Sequence, residues 1–219
     1  MVFSTAAPKL WAAGLPVIPL AVAKKNPVFE GWSRFSTVMP DAETQKLWLQ
    51  GCAPGNIGLP LGPAGGVVVV DVDTDDVRVM QLVESLAGPS VWKRVGSKGA
   101  ALAYKYTDED TKRVASEDKS VGTIVELLST GTQIVLPPSI HPDTQKPYVA
   151  TCDLADAVTN GQLTQLPPDF IDALRGGLEK LGYVLNRPGV GKVSIFVPAG
   201  ERNVRMTSFA GVMARGIQR

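Results

Sequence analysis

Hydrophobic and polar positions alternate unevenly along the chain, and the sharpest feature is an unbroken apolar run at Val67-Val68-Val69-Val70. Four β-branched residues in succession are stiff and strand-prone, so a central strand is expected there. Upstream, Val17 to Ala21 reads as a buried strand and Lys24-Lys25-Asn26-Pro27 as the loop after it. Pro40-Asp41 suits a helix start, with the helix running to about Gln50 and turning Leu47 and Trp48 inward. A glycine-rich stretch from Gly51 to Gly66, with an apolar island at Ile57 to Leu61, feeds the valine run. Asp75-Asp76 then open a helix to about Leu86, stopped by Gly88-Pro89.

The middle third predicts antiparallel sheet. Its strands are Leu102 to Tyr106, Thr123 to Leu127, Gln133 to Leu136 and Pro147 to Ala150, divided by polar or Gly/Pro turns. The charged stretch Thr107 to Ser120 reads as a solvent-exposed excursion. After Cys152 the pattern shifts: Leu166-Pro167-Pro168 leads into a helix to about Leu181, with Asp169 in its first turn and Gly182 beyond its end. Gly182 to Gly200 reads as a linker with a short strand at Val193 to Val197, and Arg202 to Arg215 as a final helix. The working division is a core over 1–165 and a helical appendage over 166–219.

Composition narrows the class. The 219 residues are 44% hydrophobic and carry a formal net charge of +1, which argues against bulk disorder and against a basic tail. A local basic groove remains compatible with that balance. Glycine at 22 and proline at 17 point to many turns and away from a helical bundle. Two cysteines, Cys52 and Cys152, are too few for a disulfide scaffold or a thiolate zinc site. A reduced, soluble, cytoplasmic protein is expected. No apolar run is long enough for a membrane span, and Pro8, Pro16 and Pro19 break the signal-peptide-like start.

Candidate chemistry sits at the end of the valine strand. In Asp71-Val72-Asp73 the two acids share a face, with Cα atoms about 6.6 Å apart. Carboxylates so placed can converge on magnesium or manganese, which favour hard oxygen ligands beside substrate phosphates. Strand-end acids also cap turns, and Asp-x-Asp occurs in haloacid-dehalogenase-like phosphatases and in glycosyltransferases; Asp75 departs from the phosphatase pattern. Glu126, within the strand Thr123 to Leu127, is a candidate third carboxylate, since a charge there is costly unless paired or metal-bound. His141 is the single histidine, stiffened between prolines in Pro137-Pro138-Ser139-Ile140-His141-Pro142, and Ser139 adds a hydroxyl. Arg94, Lys98, Lys105 and Arg113 cluster around the strand Leu102 to Tyr106, and Gly96-Ser97-Lys98-Gly99, with the Ser97 hydroxyl, has phosphate-cradling composition without Walker spacing. These cations, like Lys24 and Lys25, suit an anionic substrate. A solvated cationic face is the plain alternative.

Together these motifs resemble the N-terminal catalytic domain of bifunctional DNA primase/polymerases, the prim-pol branch of the archaeo-eukaryotic primase superfamily found in phages, plasmids and integrated elements. The resemblance spans nearly the whole chain, from Gly14-Leu15-Pro16-Val17-Ile18-Pro19-Leu20 through Lys25, Trp32, Phe35, Trp48 and Asn56-Ile57-Gly58-Leu59. It continues to Asp71-Val72-Asp73, Val125-Glu126-Leu127 and the Gly131 to Tyr148 segment. It implies an α/β fold: a primase-like core with an RRM-like antiparallel sheet and an N-terminal αβ unit, followed by a small helical segment. Asp71, Asp73 and Glu126 then match the acids that hold Mg2+ or Mn2+. Arg94, Ser97, Lys98, Lys105, Ser139 and His141 match nucleotide-binding positions. The histidine of the family's Gly-Gly-x-His strand motif is missing from Gly96 to Leu102, so Lys98 or Lys105 is the implied phosphate contact.

The resemblance further implies template-directed nucleotidyl transfer by a two-metal mechanism with release of pyrophosphate: a DNA polymerase and primase. Its partners would be single-stranded or primed DNA, nucleoside triphosphates and a fused or associated helicase beyond Arg219, in the cytoplasm of a bacterial or archaeal host of a mobile element. The competing readings are a non-catalytic nucleic-acid-binding replication module and a metal-dependent phosphatase or nuclease.

Overall fold

The valine run forms β3 (Val67–Val72), and both of its faces are buried. In this computed structural model, which describes residues 1–96 and 98–186, Val67 and Val69 face one apolar cluster while Val68, Val70 and Val72 face another. Double burial explains why the run is continuous rather than alternating; each buried valine contributes roughly 1.5–3 kcal/mol. β3 lies at the centre of a five-stranded sheet of order β4-β5-β3-β7-β6, with β4 (Lys93–Val95), β5 (Ala100–Lys105), β6 (Lys112–Ala115) and β7 (Thr123–Leu128). Every pairing in it is antiparallel.

One face of this sheet is covered by α3 (Val77–Ala87) and α5 (Phe170–Lys180). Asp76 caps α3 by accepting from the Arg78 N–H, and Val79, Val83 and Ala87 turn inward at helical spacing. On α5 the inward set is Phe170, Leu174 and Leu178. The two helices approach closely at Gly177, where an added Cβ would lie 2.6 Å from Leu82 Cδ1. Residues after 165 therefore complete the core of this layer, and the compact unit runs Met1–Leu185.

The other face packs against a second layer. Here β1 (Ile18–Leu20), β2 (Asn56–Pro60) and β8 (Gln133–Val135) form an antiparallel sheet of order β1-β2-β8. Beside it lies α1 (Val2–Ala12), with Phe3, Ala7, Leu10 and Trp11 buried. The fold is thus mixed α/β with antiparallel sheets, as expected from the sequence.

Several details differ from the sequence reading. The start is a helix despite Pro8 inside it, because the buried stripe and the Trp11 Nε1–H bond to the Val17 carbonyl at 2.9 Å anchor it. In α2 (Ala42–Gly51), Trp48 packs on Trp11, Phe29 and Phe35, but Leu47 faces solvent. The Thr107 to Ser120 excursion contains β6, an edge strand whose buried side chain is Val114. Pro147 to Ala150 forms single bridges, Ile140 to Pro147 and Arg94 to Ala150, in place of a strand. A short helix, α4 (Leu154–Thr159), was not expected. Ser97, the strand at 193–197 and the final helix at 202–215 lie outside the described residues. Among the described residues no helix is long and apolar enough to cross a membrane.

Candidate active site

Sheet register places one row of side chains across all five strands. Arg94 is the partner of Ala101, Ala101 of Asp71, Asp71 of Glu126, and Glu126 of Arg113. Directly opposed residues share a face of the sheet, so the row presents cation, methyl, acid, acid, cation toward the second layer. The small Ala101 leaves the space between Arg94 and Asp71 open. Asp73 follows on the same side, its N–H donating to the Ile124 carbonyl at 2.9 Å, which keeps the chain extended past the end of β3. Gly99 sits against this strand end with φ +51°, and a Cβ there would fall 2.0 Å from the Val72 carbonyl oxygen. Only glycine allows that approach.

Asp71, Asp73, Arg94, Lys98 and His141 line one cleft of about 80 Å³, together with Lys25 and Tyr148. Burial pushes the Asp71 carboxyl above the usual carboxylate range; Arg94 and Lys25 pull it down, while Asp73 and Glu126 push it further up. Burial likewise lowers the Arg94 guanidinium from its ordinary value. That guanidinium lies 4.8 Å from the Tyr148 ring centre and donates through Nη1 to the Val135 carbonyl at 2.8 Å, while its Nε is buried without a partner.

The His141 imidazole is held from below. Its Nδ1 accepts from the N–H groups of Asp143 at 3.1 Å and Thr144 at 3.3 Å, which leaves Nε2 to carry the proton. Asn56, buried in β2, clamps the loops on either side: its Nδ2 donates to the carbonyls of Lys24 and Ile140, and its Oδ1 accepts from the Ile140 N–H. Gln133 Nε2 adds a bond to the Lys25 carbonyl. Lys25 is therefore fixed in place at its backbone and His141 is held at its ring, on the second layer, opposite the acids of the first.

Two expected site residues fall elsewhere, and a third stands beside Asp71 with its charge already engaged. Ser139 is wholly buried and its hydroxyl accepts the Ile57 N–H at 2.8 Å, so it ties the His141 loop to β2 and does not line the cleft. Lys105 pairs with Val67, at the opposite end of β3 from Asp71, roughly 13 Å along the strand. Glu126 stands beside Asp71 in register, but its carboxylate is taken by Arg113 Nε from the edge strand. Among the described residues no group of three or more His, Cys, Asp or Glu side chains is placed to hold a metal ion. The expected three-carboxylate cluster is thus not assembled: between a like charge and a guanidinium, Glu126 turns to the guanidinium.

Donor chemistry nonetheless suits a hard divalent cation at Asp71 and Asp73. Both are oxygen donors, and the Asp71 carboxyl is raised first by burial and then by the charges of Asp73 and Glu126, which a cation would offset. Lys25 and Tyr148 also belong to the cleft; from sequence Lys25 is one of the cations open to either an anionic substrate or solvent, and Tyr148 is only a landmark. The approach of Lys25 to the cleft of Asp71 leaves no mark in local spacing. No curated protein matches the chain. The family model for the N-terminal region of bifunctional DNA primase/polymerases, Prim-Pol, matches residues 7–169, a span holding every strand of both sheets and the whole cleft. The chain belongs to the Prim-Pol family, and with it to enzymes of nucleotidyl transfer.

Proposed function

We propose that the protein is a template-directed DNA polymerase and primase whose reaction takes place in the cleft between Asp71 and His141. The observation that carries this reading is the convergence of opposite charges there: Asp71 and Asp73 share the cleft with Lys25, Arg94 and Lys98. Such a cleft suits a triphosphate that must be bound by cations on one side and approached through a cation between carboxylates on the other. We read the five-stranded sheet, with α3 and α5 on one face, as the RRM-like element of this core.

Asp71 and Asp73 would hold Mg2+ or Mn2+, with Glu126 as the third ligand after exchange of its Arg113 partner. When bound, the two ions of the family mechanism supply electrostatic stabilisation of the reacting phosphates and acidify the attacking hydroxyl. The chain's own residues do the rest. Lys25 and Lys98 bind triphosphate oxygens, Arg94 offers its free Nε–H, and His141 donates from Nε2. Attack by the primer 3′-hydroxyl forms a bond to the α-phosphorus, the bond to pyrophosphate breaks, and the hydroxyl proton is released. Template sequence is read by base pairing, and backbone contacts make binding salt-dependent. A helicase, fused or associated, would supply single strands to this cytoplasmic enzyme.

Labelled nucleotides incubated with primed and unprimed templates, in magnesium and in manganese, test the reading. Lengthened products from wild type and none from Asp71→Asn are expected. Shortened strands would indicate a nuclease, and template binding without incorporation a replication module; either overturns the proposal.

A further inference from the structure

The cleft contains one polar group that the nucleotidyl-transfer reading leaves idle. Tyr148 is 6% exposed, it lines the cleft with Asp71, Arg94 and His141, and its hydroxyl is buried without a hydrogen-bond partner. A buried hydroxyl left unpaired costs about 1–3 kcal/mol, so such a group is usually explained by water or by a ligand that pairs with it. The ring is already engaged. The Arg94 guanidinium lies over it at 4.8 Å and the His141 ring stands 5.1 Å away, so its stacking surface is not offered to a nucleobase. What remains is the phenol oxygen.

That oxygen is a poor match for another anion. Arg94 draws on it favourably, but Asp71 and Asp143 both act on it as negative charges, and burial keeps the phenol protonated well above neutral pH. The cations Lys25, Lys98 and Arg94 serve phosphate far better. A phenol both donates and accepts, and its natural complement is a neutral group that does the same, namely an alcohol.

We propose that the Tyr148 hydroxyl hydrogen-bonds a sugar hydroxyl of the incoming nucleotide and thereby makes Tyr148 a sugar-specificity residue. This rests on the reading of the cleft as a nucleotide site. A site built to pair with a substrate hydroxyl rejects the analogue that lacks it, because its own polar group is then left unpaired.

The test is calorimetric titration of full-length wild type and Tyr148→Phe with ribonucleoside, 2′-deoxy and 2′,3′-dideoxy triphosphates, using calcium as a non-reactive divalent ion. The expected result is a roughly tenfold loss of affinity in Tyr148→Phe for the triphosphates that carry the recognised hydroxyl. No loss is expected for the one that lacks it, as one hydrogen bond of about 1.4 kcal/mol gives. If only the ribonucleotide loses affinity, the 2′-hydroxyl is the partner; if the deoxynucleotide loses it as well, the 3′-hydroxyl is. An equal loss with all three, or none with any, overturns the assignment while leaving the nucleotide site intact. Failure of wild type to bind any of them overturns both. Unchanged near-ultraviolet circular dichroism of Tyr148→Phe shows that the variant is folded.

Discussion

Asp71 and Glu126 are direct cross-strand partners on β3 and β7, yet Glu126 is neutralised from its other side by Arg113 of β6. Two acids in register repel, and the sheet resolves this by giving one of them a counter-ion and burying the other. Arg113 is thus a stand-in for positive charge at the place where the proposed mechanism needs a metal ion. The Glu126 carboxylate is largely buried while Arg113 is mostly exposed, so the guanidinium can swing away at little cost.

Replacing Arg113 with alanine should therefore favour metal. Manganese binding measured by calorimetry is expected to tighten several-fold, since the competing cation is gone. Thermal stability without metal should fall modestly, because the mostly buried Glu126 carboxylate loses its counter-ion beside Asp71. Arg113→Lys should behave close to wild type. Weaker manganese binding in Arg113→Ala would show that the arginine assists the metal and does not compete with it.

Asp71 gives a prediction in pH. Its carboxyl is raised above 3.8 in the folded protein, first by burial. A raised acid favours folding below its unfolded value and loses that contribution as pH rises through its folded value. Asp71→Asn should accordingly match wild type in stability near pH 3.5 and exceed it near pH 7, as read by urea denaturation. Activity should move the other way, falling at least ~100-fold on loss of electrostatic stabilisation. Manganese should raise the Tm of wild type by several degrees and that of Asp71→Asn by much less. Equal shifts would place the metal elsewhere.

Much of this arrangement was legible in the sequence, for reasons that differ by level. The β3 strand announces itself because a strand buried on both faces must be apolar throughout, and Asp71 and Asp73 share a face because strand periodicity is two. The α1 helix was hidden by Pro8, whose local penalty is outweighed by the burial of Phe3, Ala7, Leu10 and Trp11. Leu47 and Trp48 are adjacent on a helix, about 100° apart, and only the aromatic pocket of Phe29 and Phe35 decides which one turns in. The pairing of Asp71 with Glu126 depends on register between distant strands, and the approach of Lys25 to the acids depends on the clamp at Asn56. Neither leaves a local signature.

Ser139 shows how a site motif can serve structure. Its hydroxyl satisfies the Ile57 N–H inside the protein, so Ser139→Ala leaves a buried donor unpaired. A loss of about 1–3 kcal/mol is expected in urea denaturation. Nucleotide KM at a temperature well below the transition should stay near wild type. A large KM rise with unchanged stability would return Ser139 to the nucleotide pocket.

The two lysines named for phosphate contact separate cleanly by position. Lys98 lines the cleft beside Asp71, whereas Lys105 emerges at the far end of β3 and β5, with its backbone N–H donating to the Thr164 carbonyl. A charge roughly 13 Å along the strand from Asp71 lies beyond a Debye length at physiological salt, so it contributes little to holding a triphosphate. Lys98→Ala should raise nucleotide KM about tenfold with a smaller effect on kcat, the signature of lost uniform binding. Lys105→Ala should leave both constants within about twofold of wild type. The order of the two effects is what the geometry demands: if Lys105→Ala were the more damaging, the triphosphate would have to lie along the sheet away from Asp71, and the cleft between the two layers would not be the active site.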